Sequence, residues 1–94
     1  MSDMCLRGKR ISRNNAIQTA PMGDELGMMH VETGKYYLLD SVGHAIWNMA
    51  ELPLSFETVV ENLMEIYDVT QDDCARDVRV FVLDMVQKQI LIVA

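Results

Sequence analysis

The chain has 94 residues and a formal net charge of −6; half of its residues are apolar and 23% are charged. This length gives one small domain, and this composition is typical of a globular rather than a disordered protein. No apolar run approaches the ~18 residues of a membrane span. No apolar segment follows the basic N-terminal residues, so we expect a cytoplasmic protein without a secretory signal.

The first half of the chain predicts a small antiparallel sheet. Residues 1–10 are expected to form a flexible tail, followed by a single domain at residues 11–94. Weak alternation over residues 11–19 indicates a first strand. Residues 28–32 and 35–39 read as two further strands, and Thr33-Gly34 between them is a tight-turn signal that predicts a hairpin.

The second half predicts three helices. Asp40, Ser55 and Thr70 are suitable N-caps for them, because their side chains can accept a backbone N–H hydrogen bond. Pro53 ends the first helix, the third runs to about Lys88, and residues 90–93 are expected to form a short edge strand. Strands followed by helices predict an α+β domain that is winged helix-turn-helix-like: a three-stranded antiparallel sheet followed by three α-helices.

The residue types of common active sites are sparse. His30 and His44 are the only histidines, and neither has a second metal ligand at helical or hairpin spacing. Cys5 and Cys74 form no CxxC pair and are expected to be reduced thiols. The sequence has no nucleophile signature and no glycine-rich phosphate loop. We therefore expect no enzymatic activity, no metal and no cofactor, with the histidines at the surface or half-buried.

Two other functions stay open at this point. Asp40-Ser41-Val42 is similar to the Asp-Ser-Leu motif of acyl and peptidyl carrier proteins, which would make Ser41 an attachment site. A hairpin pattern precedes Ser41, however, where carriers have a helix and a long loop. The winged-helix pattern suggests nucleic-acid binding instead. Residues 36–94 hold three basic and ten acidic residues, a sum of −7, which would repel phosphates.

The third helix offers an apolar stripe with an acidic shoulder. At 100° per residue, Asp73, Asp77, Val80 and Asp84 lie on one ridge beside the stripe of Cys74, Val78, Phe81, Val82 and Met85. A solvated face is the simpler interpretation of this ridge. The functional interpretation is an acidic rim beside a groove, in which Asp77 and Asp84 steer a cationic peptide.

The third strand offers a backbone edge. If residues 36–39 form the end of the sheet, their N–H and C=O groups are free to pair with another chain. Tyr36 and Leu38 share one face and Tyr37 and Leu39 the other, so one apolar pair is left on an outer face that we expect to be covered. An edge strand beside an amphipathic helix is the geometry of β-strand addition.

Three segments together resemble a known family. GKYYLLDSVGHAIWNM, LSFETVVENLMEIYDV and DVRVFVLDMVQKQIL are similar, in this order, to the pattern of PqqD-like proteins. The Val-Gly-x-x-Ile-Trp form looks most like the stand-alone RiPP recognition elements of lasso-peptide gene clusters. The resemblance implies three strands, three helices and binding of a precursor's leader peptide as an extra strand. The leader would lie in the cleft between the third strand and the third helix.

The resemblance also implies the partners. These are the leader region of a precursor peptide and a separate leader peptidase, with no nucleic acid and no membrane; the open edge would also allow a homodimer. Tyr37, Val80 and Phe81 are the expected anchor walls. The full set of predicted peptide-binding residues is Lys35, Tyr36, Tyr37, Leu38, Leu39, Asp73, Asp77, Val80, Phe81 and Asp84.

Overall fold

The computed structural model describes residues 6–94. Cys5 and residues 1–4 of the expected tail lie outside the described residues. Packing begins before the expected domain boundary at residue 11, because the side chain of Leu6 is only 2% exposed and the first strand starts at Arg10. Leu6 adds apolar surface to the core, which explains why this segment is held.

The chain forms three helices and two small antiparallel sheets, and the predicted α+β class, with a three-stranded sheet and three helices, is confirmed. The first sheet has the order β2-β3-β4 and the second the order β5-β1-β6. The elements in chain order are β1 (Arg10–Arg13), β2 (Ile17–Met22), β3 (Glu25–His30), β4 (Tyr36–Leu39), α1 (Ser41–Met49), β5 (Leu54–Ser55), α2 (Phe56–Ile66), α3 (Gln71–Gln87) and β6 (Leu91–Val93).

The single strand predicted over residues 11–19 is wrong, because this segment contributes to two strands in different sheets. The chain turns where Asn14 Oδ1 accepts a hydrogen bond from the Ala16 N–H at 2.9 Å. The next strand also starts earlier than predicted, since Gly27 pairs with Ala20 on one side and Leu38 on the other. Gly27 is therefore part of β3 and does not interrupt it.

The second sheet ties the two ends of the described chain together. β1 lies between β5 and β6, and Ile11 in its middle is fully buried. The predicted C-terminal strand is present as β6, which pairs with β1 through the register Ile11 to Val93. These pairings join residues far apart in sequence, so they depend on the tertiary fold rather than on a local pattern.

The three predicted helix caps are confirmed. Asp40 Oδ1 accepts from the Gly43 N–H at 2.9 Å, Ser55 Oγ from the Thr58 N–H at 3.1 Å, and Thr70 Oγ1 from the Asp73 N–H at 3.2 Å. Such bonds satisfy backbone donors that a helix leaves unpaired in its first turn. The cap at Asp40 ends β4 and starts α1 at one residue, which fixes the position of α1 against the sheet.

The core lies between the sheets and the helices. The inward side of α3 is formed by the predicted stripe, of which Cys74, Val78, Val82 and Met85 are buried and Phe81 is half-buried. His30 is fully buried rather than at the surface or half-buried as expected, because every second side chain of β3 points inward. Its Nδ1 accepts from the Glu32 N–H at 3.2 Å.

Within residues 6–94, none of the helices is both long enough and apolar enough to cross a membrane.

Candidate peptide-binding cleft

β4 is an edge strand of the first sheet. It pairs with β3 alone, from Tyr36 opposite Met29 to Leu39 opposite Leu26. The Lys35 carbonyl points toward β3, where it accepts from the His30 N–H at 2.9 Å. Because backbone groups of an antiparallel strand alternate between its two sides, the N–H and C=O groups of Tyr36 and Leu38 point away from β3. β4 therefore offers an unpaired backbone edge.

A cleft of about 400 Å³ lies between this edge and α3. Its walls are mostly apolar or aromatic, with charged groups at both ends. Five of the predicted peptide-binding residues contribute to it: Tyr37, Leu38, Leu39, Phe81 and Asp84. Three residues absent from the predicted set also line it: Asp40, Met85 and Lys88. The juxtaposition of a strand edge and an amphipathic helix is thus the one predicted.

A second pocket, of about 380 Å³, continues the cleft past the end of β4. Asp40 and Phe81 line both spaces, so the two form one continuous surface, called the extended cleft below. Helix α1 forms one wall of the pocket and α3 the other. Its remaining lining residues are Val42, Gly43, Ile46, Leu63, Tyr67, Val69, Cys74, Asp77 and Val78. The α1 wall was missed by the sequence-based set, which covered only the strand and the third helix.

Gly43 allows α1 to approach α3 closely at this point. A Cβ at position 43 would lie 3.0 Å from Cε1 of Phe81 and 3.2 Å from Cβ of Leu39. Both distances are tighter than ordinary van der Waals contact. The absence of a side chain at Gly43 thus leaves room for the Phe81 ring, which lines both the cleft and the second pocket.

Lys88 reaches across the mouth of the cleft. Its Nζ lies 2.9 Å from Asp84 Oδ2 and 5.5 Å from the centroid of the Tyr37 ring. The first contact is a charge-assisted hydrogen bond along α3, and the second is a cation–π contact between α3 and β4. The two contacts place the ammonium group beside the unpaired edge of β4.

The predicted acidic ridge is exposed and locally paired. Asp73 and Asp77 flank Arg76, with carboxylate-to-guanidinium distances of 3.2 Å and 3.7 Å, and Asp84 pairs with Lys88. Asp77 and Asp84 thus each have a basic partner on the same helix. Three carboxylates share two cationic partners, so the ridge still carries more negative than positive charge.

The other predicted residues lie outside the extended cleft. Tyr36 and Val80 are 78% and 61% exposed, and Lys35 precedes β4. Asp73 lies in the first turn of α3. Tyr36 and Leu38 form the outer face of the hairpin, while Tyr37 and Leu39 face inward. The apolar outer pair predicted from the alternation is therefore present and exposed.

The thiol of Cys74 lies at the floor of the second pocket. Its Sγ is 3.7 Å from the Val60 carbonyl oxygen, and the side chain is buried. Burial, with a smaller contribution from the negative charge of Asp77, raises the pKa of Cys74. The uncharged thiol is thereby favoured over the nucleophilic thiolate, so Cys74 acts as an apolar wall of the pocket.

The extended cleft combines a backbone edge with an apolar pocket. Among residues 6–94, no cluster of three or more His, Cys, Asp or Glu side chains could hold a metal ion. The unpaired edge can form backbone hydrogen bonds that tolerate many guest sequences, and the apolar pocket can select guest side chains. An extended peptide satisfies both features at once.

Comparisons with known proteins agree with this geometry. The PqqD family, described as "Coenzyme PQQ synthesis protein D (PqqD)", matches residues 25–91. The fold is similar to that of TbiB1 in complex with the TbiA(beta) leader peptide, with a TM-score of 0.80 and 31% sequence identity over 85% of this chain and 93% of that chain. No curated protein sequence matches the chain.

A second solved structure shares the fold at lower sequence identity. Lasso peptide synthetase B1 complexed with the leader peptide superimposes with a TM-score of 0.77 and 18% identity, over 87% of this chain and 96% of that chain. Both of these solved structures are complexes with a leader peptide, and the second is that of a lasso peptide synthetase subunit. The family match covers more than half of the sequence, and it confirms the resemblance to PqqD-like RiPP recognition elements: this chain belongs to the PqqD family.

Proposed function

We propose that this protein binds the leader segment of a ribosomally made precursor peptide, without catalysing a reaction itself. The leader adds as a fourth strand to the edge of β4, between β4 and α3. The observation that carries this proposal is the unpaired edge of Tyr36 and Leu38 beside a cleft of about 400 Å³ that apolar, aromatic and charged side chains line together. The leader-peptide complexes of the two similar structures support the same ligand class.

Backbone pairing alone is not enough to hold a flexible leader. A disordered peptide that folds on binding loses ~2–5 kcal/mol to ordering, while each new backbone hydrogen bond contributes about 1 kcal/mol. With a strand of four residues, β4 can offer few such bonds. Apolar leader side chains must therefore supply further affinity. The second pocket, with Ile46, Tyr67 and Phe81 among its walls, is the surface suited to receive them.

The role of binding is presentation of the precursor to a separate leader peptidase during lasso-peptide maturation. A tethered substrate has an effective concentration set by the length of its link, in the millimolar range for short flexible links. A precursor held by its leader would thus meet the peptidase more often than a free one. This use of binding requires no catalytic group in the extended cleft.

Titration calorimetry with the precursor encoded beside this protein tests the binding step. The intact precursor and the isolated leader should bind with similar affinity, while the leaderless form should show no saturable heat. Comparable affinity for the leaderless form would refute the proposal. Leu52→Glu is a suitable control for surface effects, because Leu52 is 75% exposed and outside the extended cleft.

A further inference from the structure

The two ends of the extended cleft differ in charge. At one end, the Lys88 ammonium lies over Tyr37, and Lys35 precedes β4. At the other end, Asp40 and Asp77 line the second pocket. Of the charged residues that line the extended cleft, Lys88 and Asp84 sum to zero at the first end, and Asp40 and Asp77 sum to −2 at the second. Outside the lining, Lys35 adds one positive charge before β4, whereas Asp73 and Arg76 offset each other.

This polarity follows from the antiparallel course of α3 and β4. Lys88 at the end of α3 contacts Tyr37 near the start of β4, and Phe81 lies beside Leu39 and Asp40 farther along. From Tyr37 to Asp40 the strand advances ~10 Å, and from Asp77 to Lys88 the helix advances ~16 Å. Charges at the two ends are thus separated by about the length of four extended residues, ~13 Å.

We propose that the extended cleft selects leader segments by charge order, with a basic residue followed about four positions later by an acidic residue. This inference rests on the proposed function. Both sheets of the domain are antiparallel, and antiparallel pairing is slightly more stable per residue than parallel pairing. A guest antiparallel to β4 begins at the Asp40 end. Its first charged residue therefore meets Asp40 and Asp77, and its later one meets Lys88.

The ion pairs already present do not cancel this selection. Lys88 and Asp84 have side chains 39% and 48% exposed, and Asp77 is 77% exposed, so all three can turn toward a guest. A guest carboxylate can share Lys88 with Asp84, since an ammonium has three donors. A guest ammonium or guanidinium at the other end finds more carboxylates than Arg76 neutralises. Because these contacts are solvent-exposed, they act on orientation more than on total affinity.

Two synthetic peptides of identical composition test the inference. Both are fluorescein-labelled twelve-residue peptides with the same apolar strand-forming centre; lysine precedes glutamate by four positions in one, and the two are exchanged in the other. Fluorescence anisotropy at low salt should give about threefold tighter binding of the lysine-first peptide. The preference should disappear at 0.5 M salt, where exposed charges are screened.

Charge exchange in the protein supplies the decisive comparison. The double variant Lys88→Glu/Asp77→Lys keeps the net charge and should reverse the preference. The matched variant Lys9→Glu/Glu61→Lys makes the same two charge changes at exposed positions outside the extended cleft. It should keep the preference for the lysine-first peptide. Equal binding of the two peptides to the wild-type protein, or the same preference in both double variants, overturns the inference.

The precursor leader is titrated into the same samples to separate this inference from the proposed function. Failure of the leader to bind the wild-type protein refutes the proposed function. Leader binding without any order preference between the synthetic peptides refutes the charge-order inference alone.

Discussion

Lys88 covers Tyr37 at the mouth of the cleft, with its ammonium 5.5 Å from the ring centroid. The contact joins the end of α3 to the exposed edge of β4, and a charged lysine beside a strand edge discourages pairing with another copy of the chain. We therefore expect Lys88 to guard this edge against pairing with another copy when no guest is bound.

Removing the Lys88 side chain should promote self-association. Lys88→Ala takes away the cation–π contact, of about 0.5–1 kcal/mol, and removes the positive charge beside the unpaired edge of β4. Sedimentation velocity should then show dimers at concentrations where the wild-type protein is monomeric. Lys9→Ala is the matched control, since Lys9 is exposed and outside the extended cleft. Identical sedimentation of the two variants would show that Lys88 has no guarding role.

Gly43→Ala should weaken leader binding more than it weakens folding. The added Cβ forces Phe81 to move, and overpacking of this kind costs ~1–3 kcal/mol. Better helix propensity recovers about 1 kcal/mol of folding free energy. Because Phe81 lines both parts of the extended cleft, its displacement should weaken leader affinity about tenfold, equal to ~1.4 kcal/mol.

The control for this change is Asn48→Ala, on an exposed position of the same helix. It gains helix propensity without touching Phe81, so calorimetry should give wild-type affinity. Wild-type affinity in Gly43→Ala as well would show that the Phe81 position does not limit binding.

The raised pKa of Cys74 predicts a fall in stability at alkaline pH. Below the ordinary thiol pKa, both the folded and the unfolded chain are protonated, so Cys74 adds no pH dependence. As the pH rises from the ordinary pKa toward the raised one, only the unfolded chain ionises, and the free energy of unfolding decreases. Stability is thus lost in this window, by at most about 1.4 kcal/mol per pH unit.

Urea titrations of the wild-type protein and Cys74→Ala from pH 7 to pH 11 measure this effect. The variant is less stable at pH 7 because it loses buried surface, but the difference between the two proteins should shrink as the pH rises. Effects of alkaline pH that are common to both proteins cancel in the difference. If the free energies of unfolding of the two proteins changed in parallel with pH, ionisation of Cys74 would not be the cause of the alkaline loss of stability.

Presentation predicts an effect on the peptidase that depends on the leader. With the precursor well below KM, adding this protein should increase the rate of leader removal, because the bound precursor is held near the enzyme. For a precursor whose leader sequence is scrambled, adding this protein should leave the rate of leader removal unchanged. Equal acceleration of both substrates would indicate a direct effect on the peptidase, independent of leader binding.

The local features of the fold could be predicted from the sequence. Asp40, Ser55 and Thr70 cap helices with their own side chains, and the apolar stripe of α3 repeats within single turns. Such patterns involve residues three or four positions apart. The Thr33-Gly34 turn is equally local, and Gly34 adopts φ +73° as a tight turn requires.

The features that could not be predicted depend on distant partners. β1 forms because Ile11 pairs with Leu54 of β5 on one side and with Val93 of β6 on the other. No residue near Ile11 in sequence indicates either pairing. The position of Lys88 over Tyr37 depends likewise on where α3 ends relative to β4. One sequence signal for the α1 wall was available: Gly43 inside an apolar helical pattern indicates a close approach of another element.

Amide hydrogen exchange at Leu38 tests the central claim, strand addition at β4, most directly. The Leu38 N–H points away from β3, and no described strand pairs with that side. Without leader it should exchange quickly, and saturating leader should slow it by at least tenfold. The Tyr37 N–H faces β3 and serves as the internal reference. Unchanged fast exchange at Leu38 in a sample that calorimetry shows to be saturated would contradict strand addition.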